Sequence, residues 1–113
     1  MARIKRAYGR YLYEINNGRI KEMYGQYLYE IVGNKVKRAY GPYVYEIEGN
    51  KIRQSYGPYI FEKIGNKVKR CYGNYVCEIV GDKIKEAYGQ YLYEIEGSLS
   101  EIELLALIAI LFD

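Results

Sequence analysis

The sequence predicts an all-β domain that ends in one helix. Six tandem 16-residue β-hairpins are expected to form a 12-stranded antiparallel meander over residues 1–97, followed by an apolar C-terminal helix over residues 98–113. Three observations predict this fold: Tyr-Gly recurs every 16 residues, glycine falls every eight residues, and the last segment is continuously apolar. Both parts belong to one domain, because 113 residues leave no room for two full cores.

The six hairpins are predicted from the glycine spacing. Tyr-Gly begins at Tyr8, Tyr24, Tyr40, Tyr56, Tyr72 and Tyr88 without an insertion, so each repeat is one supersecondary unit. These Tyr-Gly turns alternate with turns spelled Asn-Gly, Gly-Asn or Gly-Asp, which we call Gly-Asn turns. Such dipeptides are typical of two-residue hairpin loops. The six residues between turns are a typical strand length.

The charges indicate how the strands pair. A two-residue loop at Gly41-Pro42 predicts Lys37 opposite Glu46, and one at Gly49-Asn50 predicts Glu46 opposite Arg53. The same register predicts a row of alternating sign: Lys5, Glu14, Lys21, Glu30, Lys37, Glu46, Arg53, Glu62, Lys69, Glu78, Lys85 and Glu94. A parallel solenoid would instead align like charges, which destabilises paired strands, so the pattern favours the meander.

The predicted register separates two faces of the sheet. Beside the charge row, one face carries an outer aliphatic band: Ala7, Leu12, Met23, Leu28, Ala39, Val44, Ser55, Ile60, Cys71, Val76, Ala87 and Leu92. The other face is predicted to be buried, with an Ile/Val layer near the Gly-Asn turns that only Lys63 interrupts. All sixteen tyrosines are assigned to this buried face, most simply as core residues with high β-propensity.

Near the Tyr-Gly turns that face carries three sets of residues, of which the rim set is the candidate ligand mouth and the inner polar ring lies below it. The rim set is tyrosine throughout: Tyr8, Tyr11, Tyr24, Tyr27, Tyr40, Tyr43, Tyr56, Tyr59, Tyr72, Tyr75, Tyr88 and Tyr91. The middle layer holds Tyr13, Tyr29, Tyr45, Phe61, Cys77 and Tyr93. Alternating with that layer is an inner polar ring of Arg6, Glu22, Arg38, Gln54, Arg70 and Glu86.

The C-terminal segment predicts a helix that needs apolar surroundings on all sides. Ser98 with Glu101, and Ser100 with Glu103, both match a capping box. Every residue from Leu104 to Phe112 is apolar, so a helix here would be apolar on all sides and must be surrounded. This apolar run is too short to span a membrane. We expect a closed barrel plugged by this helix, with its end at the tyrosine rim. Two alternatives are an open sheet curled around the helix, and a helix that packs into a partner chain.

Composition excludes several classes of function. The chain has no histidine, which removes the commonest catalytic base, and no cofactor or metal site is predicted. Its net charge of +3 is too small for a protein held to nucleic acid mainly by charge. Cys71 and Cys77 fall on opposite faces, so no disulfide is expected. No signal peptide or membrane segment is predicted, and a cytoplasmic location is expected.

The leading hypothesis is therefore a non-enzymatic structural or protein-interaction repeat module. The outer aliphatic band is the expected surface for self-association into a homo-oligomer. An alternative is a barrel that binds a small ligand in its tyrosine-lined mouth, above Arg6, Arg38 and Arg70. A weaker alternative is single-stranded nucleic-acid binding, which the glutamate opposite each outward lysine opposes.

Overall fold

The computed structural model describes all 113 residues and shows a closed 12-stranded antiparallel β-barrel with one C-terminal helix. The elements are β1 (Ala2–Arg6), β2 (Tyr11–Asn16), β3 (Arg19–Glu22), β4 (Tyr27–Val32), β5 (Lys35–Arg38), β6 (Tyr43–Glu48), β7 (Lys51–Gln54), β8 (Tyr59–Ile64), β9 (Lys67–Arg70), β10 (Tyr75–Val80), β11 (Lys83–Glu86), β12 (Tyr91–Gly97) and α1 (Glu101–Phe112). Consecutive strands pair, and β1 pairs with β12, so the prediction of closure is confirmed and the open sheet is excluded.

The Gly-Asn turns have the predicted two-residue loops. Across one of them, Glu48 lies opposite Lys51 and Glu46 lies opposite Arg53. The first loop residue, Gly49, has φ 61°, which is the position where a type II′ hairpin turn needs glycine. The first such turn, Asn17-Gly18, has positive φ at both residues, as a type I′ turn requires.

The Tyr-Gly turns differ from the prediction of two-residue loops. β1 ends at Arg6 and β2 begins at Tyr11, so four residues form the loop. The Gly9 amide donates to the Arg6 carbonyl at 2.9 Å, and the positive φ of 66° falls on Tyr8. This is the pattern of a type II turn whose third residue is tyrosine. A β-bulge lies next to each of these loops: Lys5 lies opposite Tyr11, whereas Ile4 lies opposite Tyr13, so the register beyond the bulge differs by one residue from that beside the loop.

The longer loops stagger the strands. Glu46 lies opposite Lys35 and not opposite Lys37, so the predicted register is wrong by two residues at all six Tyr-Gly turns. From Lys35 through Glu46 to Arg53, the pairing advances 18 residues, which is one 16-residue repeat plus two. Six repeats therefore give a total stagger of twelve residues, equal to the number of strands. The predicted register would have given no stagger, and hence no strand tilt.

This stagger sets the tilt of the strands. Barrel tilt depends on the ratio of stagger to strand number, and that ratio here is the same as in the eight-stranded barrel of stagger eight, whose strands tilt by about 36°.

The predicted row of outward charges is present with different partners across the Tyr-Gly turns. Each outward glutamate lies between two cations on neighbouring strands, as Glu46 lies between Lys35 and Arg53. The outer wall thus has two rows of cations for one row of glutamates.

The barrel interior is filled by the inward aliphatic residues and the helix. Ile20, Val36 and Ile52 are fully buried, as are Leu105 to Ala109 of α1, and all belong to one core cluster. Helix α1 begins with the predicted capping box: Ser100 and Glu103 each accept a hydrogen bond from the other's backbone amide. No helix of the structure has the length and apolar character needed to cross a membrane.

The one interruption of the inner aliphatic layer has a structural reason. Lys63 occupies the position that is Ile in the neighbouring repeats, and its Nζ lies 2.9 Å from an Oε1 of Glu101. Glu101 is the first residue of α1, so this ion pair links the sheet to the start of the helix. The other five repeats have isoleucine at this position, so only this repeat can form the ion pair. The pair therefore favours one rotational position of the helix within the barrel.

The glycines of the Tyr-Gly turns are required for space rather than for positive φ. A Cβ on Gly25 would lie 2.8 Å from the Cβ of Glu22, whereas a Cβ on Gly41 would lie 3.3 Å from that of Arg38. We predict that Gly25→Ala destabilises the protein by about 1–3 kcal/mol through overpacking. Gly41→Ala should be nearly neutral, because the smaller strain is offset by the lower entropy of the unfolded chain. Urea unfolding of both variants tests this, and equal losses would contradict it.

The helix is expected to be essential to the stability of the barrel. Leu107 is fully buried, and Leu107→Ala should cost about 2–5 kcal/mol through lost contacts and the cavity left behind. Exposed Glu101→Gln is the matched control within the same helix and should cost less than about 1 kcal/mol. Thermal unfolding followed by circular dichroism measures both. An unchanged midpoint for Leu107→Ala would show that the helix does not support the barrel.

Candidate functional site

The rim tyrosines form two sets, and the structure places neither in the core. The first set, which we call the tip tyrosines, lies on the Tyr-Gly loops and is at least 88 % exposed: Tyr8, Tyr24, Tyr40, Tyr56, Tyr72 and Tyr88. The prediction that these residues are buried is wrong. They occupy the third position of a four-residue turn, which directs their side chains into solvent, so six nearly equivalent phenol rings surround one end of the barrel.

The second set, the wall tyrosines, lies on the outer surface: Tyr11, Tyr27, Tyr43, Tyr59, Tyr75 and Tyr91. The predicted burial of this set is also wrong, because the β-bulge turns it outward. Each ring lies 5.4–5.8 Å from the charged nitrogen or guanidinium carbon of an outward Lys or Arg. Such exposed cation–π contacts contribute about 0.5–1 kcal/mol each and hold the rings against the wall.

Two wall tyrosines are also fixed through their hydroxyl groups. Tyr11 donates to Glu96 and Tyr59 donates to Glu48, each at 2.7 Å. The hydrogen bond from Tyr59 lowers the pKa of Glu48, and the same bond raises the pKa of Tyr59. These bonds connect the tyrosine end of one strand with the Gly-Asn end of the next strand but one, β8 with β6 and β2 with β12, which is a consequence of the strand stagger.

The four middle-layer tyrosines point inward, as predicted. Tyr93 meets the ring of Phe112 edge-on at 6.0 Å, and the Tyr45 hydroxyl donates to Asp113 at 2.8 Å. Burial is the main cause that raises the pKa of Tyr45, with the hydrogen bond to Asp113 second. The helix therefore runs as expected, with its C-terminal end at the tyrosine rim.

The inner polar ring has the predicted register only across the Gly-Asn turns, since Tyr45 lies opposite Val36 and not opposite Arg38, and its members are exposed at the barrel mouth. Glu22 lies opposite Tyr13 and Arg38 opposite Tyr29, and no charged residue of the protein is buried. Arg70 donates to the Phe112 carbonyl at 3.4 Å. The end of α1 thus occupies the centre of the mouth. The predicted ligand mouth, in which twelve tyrosines line the opening above the inner polar ring, is therefore wrong. The rim tyrosines lie on the loops and on the outer wall.

The outer aliphatic band is half-buried rather than exposed. Val44, Ile60 and Val76 pack against the core cluster, since the bulged strands bring them toward it. The exposed aliphatic side chains of the strands are instead Val32, Ile64 and Val80 at the Gly-Asn end. The band therefore offers less contact surface than expected, and tyrosine dominates the exposed apolar area at the other rim.

A cleft lies between neighbouring hairpins on the outer wall, and it occurs at two places with a similar lining and volume. One cleft is bounded by Tyr27 and Tyr40, has Ala39 at its floor and Arg19 and Glu30 at its edge, and has a volume of about 200 Å³. An equivalent cleft pairs Tyr59 with Tyr72 and has a volume of about 210 Å³. Between Tyr75 and Tyr88 the same place is nearly closed, with about 10 Å³. The depression of about 600 Å³ between Tyr11 and Tyr24 has a different lining, which includes Glu22 of the inner polar ring. We call these the tyrosine clefts; each joins a wall tyrosine to the next tip tyrosine.

Sequence reasoning missed these clefts because it misplaced the tyrosines. A signal was present in the residue before each tip tyrosine, which is Ala, Ser or Cys in five repeats and Met23 in the other. At the turn such a residue becomes the cleft floor, as Cys71 does beside Tyr72. Cys77, by contrast, is fully buried, and burial raises its pKa to about 12. The two cysteines are unpaired, as predicted.

Comparisons with known proteins give no further guide to the class of protein. No family model matches the chain, and neither the curated proteins nor the solved structures contain a match. The fold and the site alone define it as a tandem-repeat β-barrel that presents two tyrosines per repeat on its outer surface.

The tip tyrosines differ in backbone strain, which makes a direct test possible. Tyr56 has φ 60°, whereas Tyr40 is not in the positive-φ region, although both are followed by Gly-Pro-Tyr and both are almost fully exposed. Asparagine tolerates this conformation better than tyrosine. We predict that Tyr56→Asn raises the free energy of unfolding by about 0.5–1 kcal/mol, while Tyr40→Asn leaves it unchanged or lowers it. Chemical denaturation compares the two, and an equal response would refute the assigned strain.

Proposed function

We propose that this protein is a non-enzymatic interaction module whose exposed tyrosines contact its partner. The observation that carries the proposal is the ring of six tip tyrosines, each at least 88 % exposed. Tyrosine supplies a large, rigid and amphipathic contact surface, which is why it is enriched in protein interfaces. Closure of the barrel keeps the six loops in fixed relative positions, so a partner meets a preformed surface.

The equivalence of the repeats supports a binding role over catalysis. Each outward glutamate has two cations opposite it on neighbouring strands, as Glu30 has Arg19 and Lys37. No repeat combines a nucleophile with a base that would distinguish it from the other five. A cytoplasmic location remains a prediction from the sequence, and it accords with the free thiols of Cys71 and Cys77.

Self-association is the form of interaction that we propose to test first. We place the contact surface at the tip tyrosines rather than at the aliphatic band, because the band is half-buried and the tip tyrosines form the larger exposed area. Two copies can meet rim to rim about a two-fold axis, because such an interface uses the same patch on both subunits. The central mouth is the second candidate, as a small-ligand site at the exposed ring containing Arg6, Arg38 and Arg70. The end of α1 limits its depth.

Sedimentation velocity over a wide range of protein concentration tests the rim. We predict reversible association of the wild-type chain, and its loss when all six tip tyrosines are changed to asparagine: Tyr8→Asn, Tyr24→Asn, Tyr40→Asn, Tyr56→Asn, Tyr72→Asn and Tyr88→Asn. The matched control replaces exposed apolar residues at the other end, with Val32→Thr, Ile64→Thr and Val80→Thr, and should associate like the wild type. A monomer at every concentration would contradict rim-to-rim association.

A further inference from the structure

We infer that the inner polar ring is a docking surface for a second copy of this chain, and that its alternating charges select the rotation of one copy relative to the other. The inference rests on the proposed interaction through the tip tyrosines and assigns that interaction its partner. Each ring member ends an odd-numbered strand, is exposed, and lies two residues before a tip tyrosine, as Arg6 lies before Tyr8. The ring therefore belongs to the same surface as the tips.

The alternation of charge around the ring is not used within one barrel. The side chains around the ring are Arg, Glu, Arg, Gln, Arg and Glu, whereas the tyrosine and the glycine of each loop stay the same. None of the ion pairs in the structure includes a ring member. Neighbouring members are two strands, or about 10 Å, apart, a distance at which salt largely screens exposed charges. The alternation is therefore available to a partner.

The arginines of the ring keep free donors for that partner. Arg38 and Arg70 each lie over an aromatic ring, at 5.7 and 5.2 Å from its centroid, and Arg70 donates one N–H group to the end of α1. A guanidinium has five N–H donors at its edge, so stacking of its face leaves most of them free. The other charged residues at this end are Arg10 on a loop and Asp113, whose carboxylate accepts from Tyr45.

A two-fold axis converts the alternation into complementarity. When two identical rings meet face to face, the order of the repeats runs in opposite directions in the two copies. A ring of six positions then has six rotational registers. In three of them every arginine faces a glutamate or Gln54 of the second copy, and in the other three arginine faces arginine. One favourable register forms each of these pairs twice: Arg6 with Glu22, Arg38 with Glu86, and Arg70 with Gln54.

The tip tyrosines interdigitate in this arrangement. Each Tyr-Gly loop joins an odd-numbered strand to the even-numbered strand that follows it. Reversal of the order therefore places the loops of the second copy over the gaps between the hairpins of the first. Each tip tyrosine enters such a gap, which brings the two rings within reach of the long arginine side chains. The tips supply the contact area, and the ring fixes the register of the two copies.

Charge reversal of the ring tests the inference. Glu22→Arg with Glu86→Arg makes every charge of the ring positive. Arg6→Glu with Arg38→Glu and Arg70→Glu makes every charge negative. Each substitution installs a residue that the same exposed position carries in other repeats, so both variants should fold, and circular dichroism checks this.

Sedimentation velocity gives the readout for these variants. Each variant alone should self-associate at least about tenfold more weakly than the wild type, because like charges face each other in every register. An equimolar mixture should associate about as strongly as the wild type, with one copy of each variant per complex. Raising the salt from about 0.1 to 1 M should weaken the wild-type association, since the Debye length falls from about 10 to 3 Å.

Gln54 allows the association to be strengthened as well as weakened. In every favourable register this residue faces an arginine, so Gln54→Glu adds two exposed ion pairs per complex and completes the alternation. We expect roughly 2- to 30-fold stronger association from these pairs. The matched control, Gln54→Lys, places a cation opposite that arginine and should weaken the association.

Three results would overturn the inference: undiminished self-association of either charge-reversed variant, a mixture that associates no better than its components, or stronger association of Gln54→Lys than of Gln54→Glu. If one of these results accompanies loss of association in the six-asparagine variant, the tip tyrosines remain the interface and only the role of the ring is removed. A wild-type chain that is monomeric at every concentration contradicts both proposals.

Discussion

Closure of the barrel is the constraint on which the other features depend. A sheet can close only if its strands tilt, and tilt requires a stagger that accumulates around the ring. Here the stagger comes from one local device, the four-residue Tyr-Gly loop with its adjoining bulge, used six times. The same device turns one tyrosine of each pair onto the outer wall and leaves the other on the loop tip. The tyrosine clefts are therefore a direct product of the geometry that closes the barrel.

The helix makes six similar hairpins unequal. Lys63 meets Glu101 at one end of α1, while Tyr45 and Arg70 contact the last two residues at the other end. Each of these contacts involves a single repeat, so together they select one orientation of the helix within a nearly symmetric wall. The outer surface keeps the repeat symmetry, because only inward residues respond to the helix. The asymmetry of the interior and the equivalence of the exterior can coexist for this reason.

Much of the fold could be read from the sequence, because its signals were local and periodic. The Gly-Asn turns, the inward aliphatic layer, the capping box at Ser100 and the closing pair Lys5–Glu94 all follow from dipeptides, alternation and charge sign. The Tyr-Gly turns could not be read in the same way. Their glycine suggests a two-residue loop with positive φ, but it is needed for its close approach to the residue three positions earlier, as Gly25 approaches Glu22.

The wrong assignment of the Tyr-Gly turns as two-residue loops caused the wrong predictions about the tyrosines. In the true register each outward glutamate lies opposite a cation two residues from the predicted one, as Glu46 lies opposite Lys35 and not Lys37. Both registers therefore pair every glutamate with a positive charge. Sign alternation therefore could not expose the mistake. The requirement for a nonzero stagger could have done so, because the predicted register closes the ring with untilted strands. Burial of the tip tyrosines followed from that register rather than from any property of tyrosine.

The repeat unit also fixes how the barrel could change size. Every repeat brings two strands and two residues of stagger, so gain or loss of a whole repeat leaves the strand tilt unchanged and alters only the diameter. The wall alone therefore has no preferred copy number. An α-helix with its side chains is about 10–12 Å wide, and a ring that is too narrow would exclude it while one too wide would leave it unpacked. The width of the C-terminal helix thus favours the barrel diameter that six repeats give.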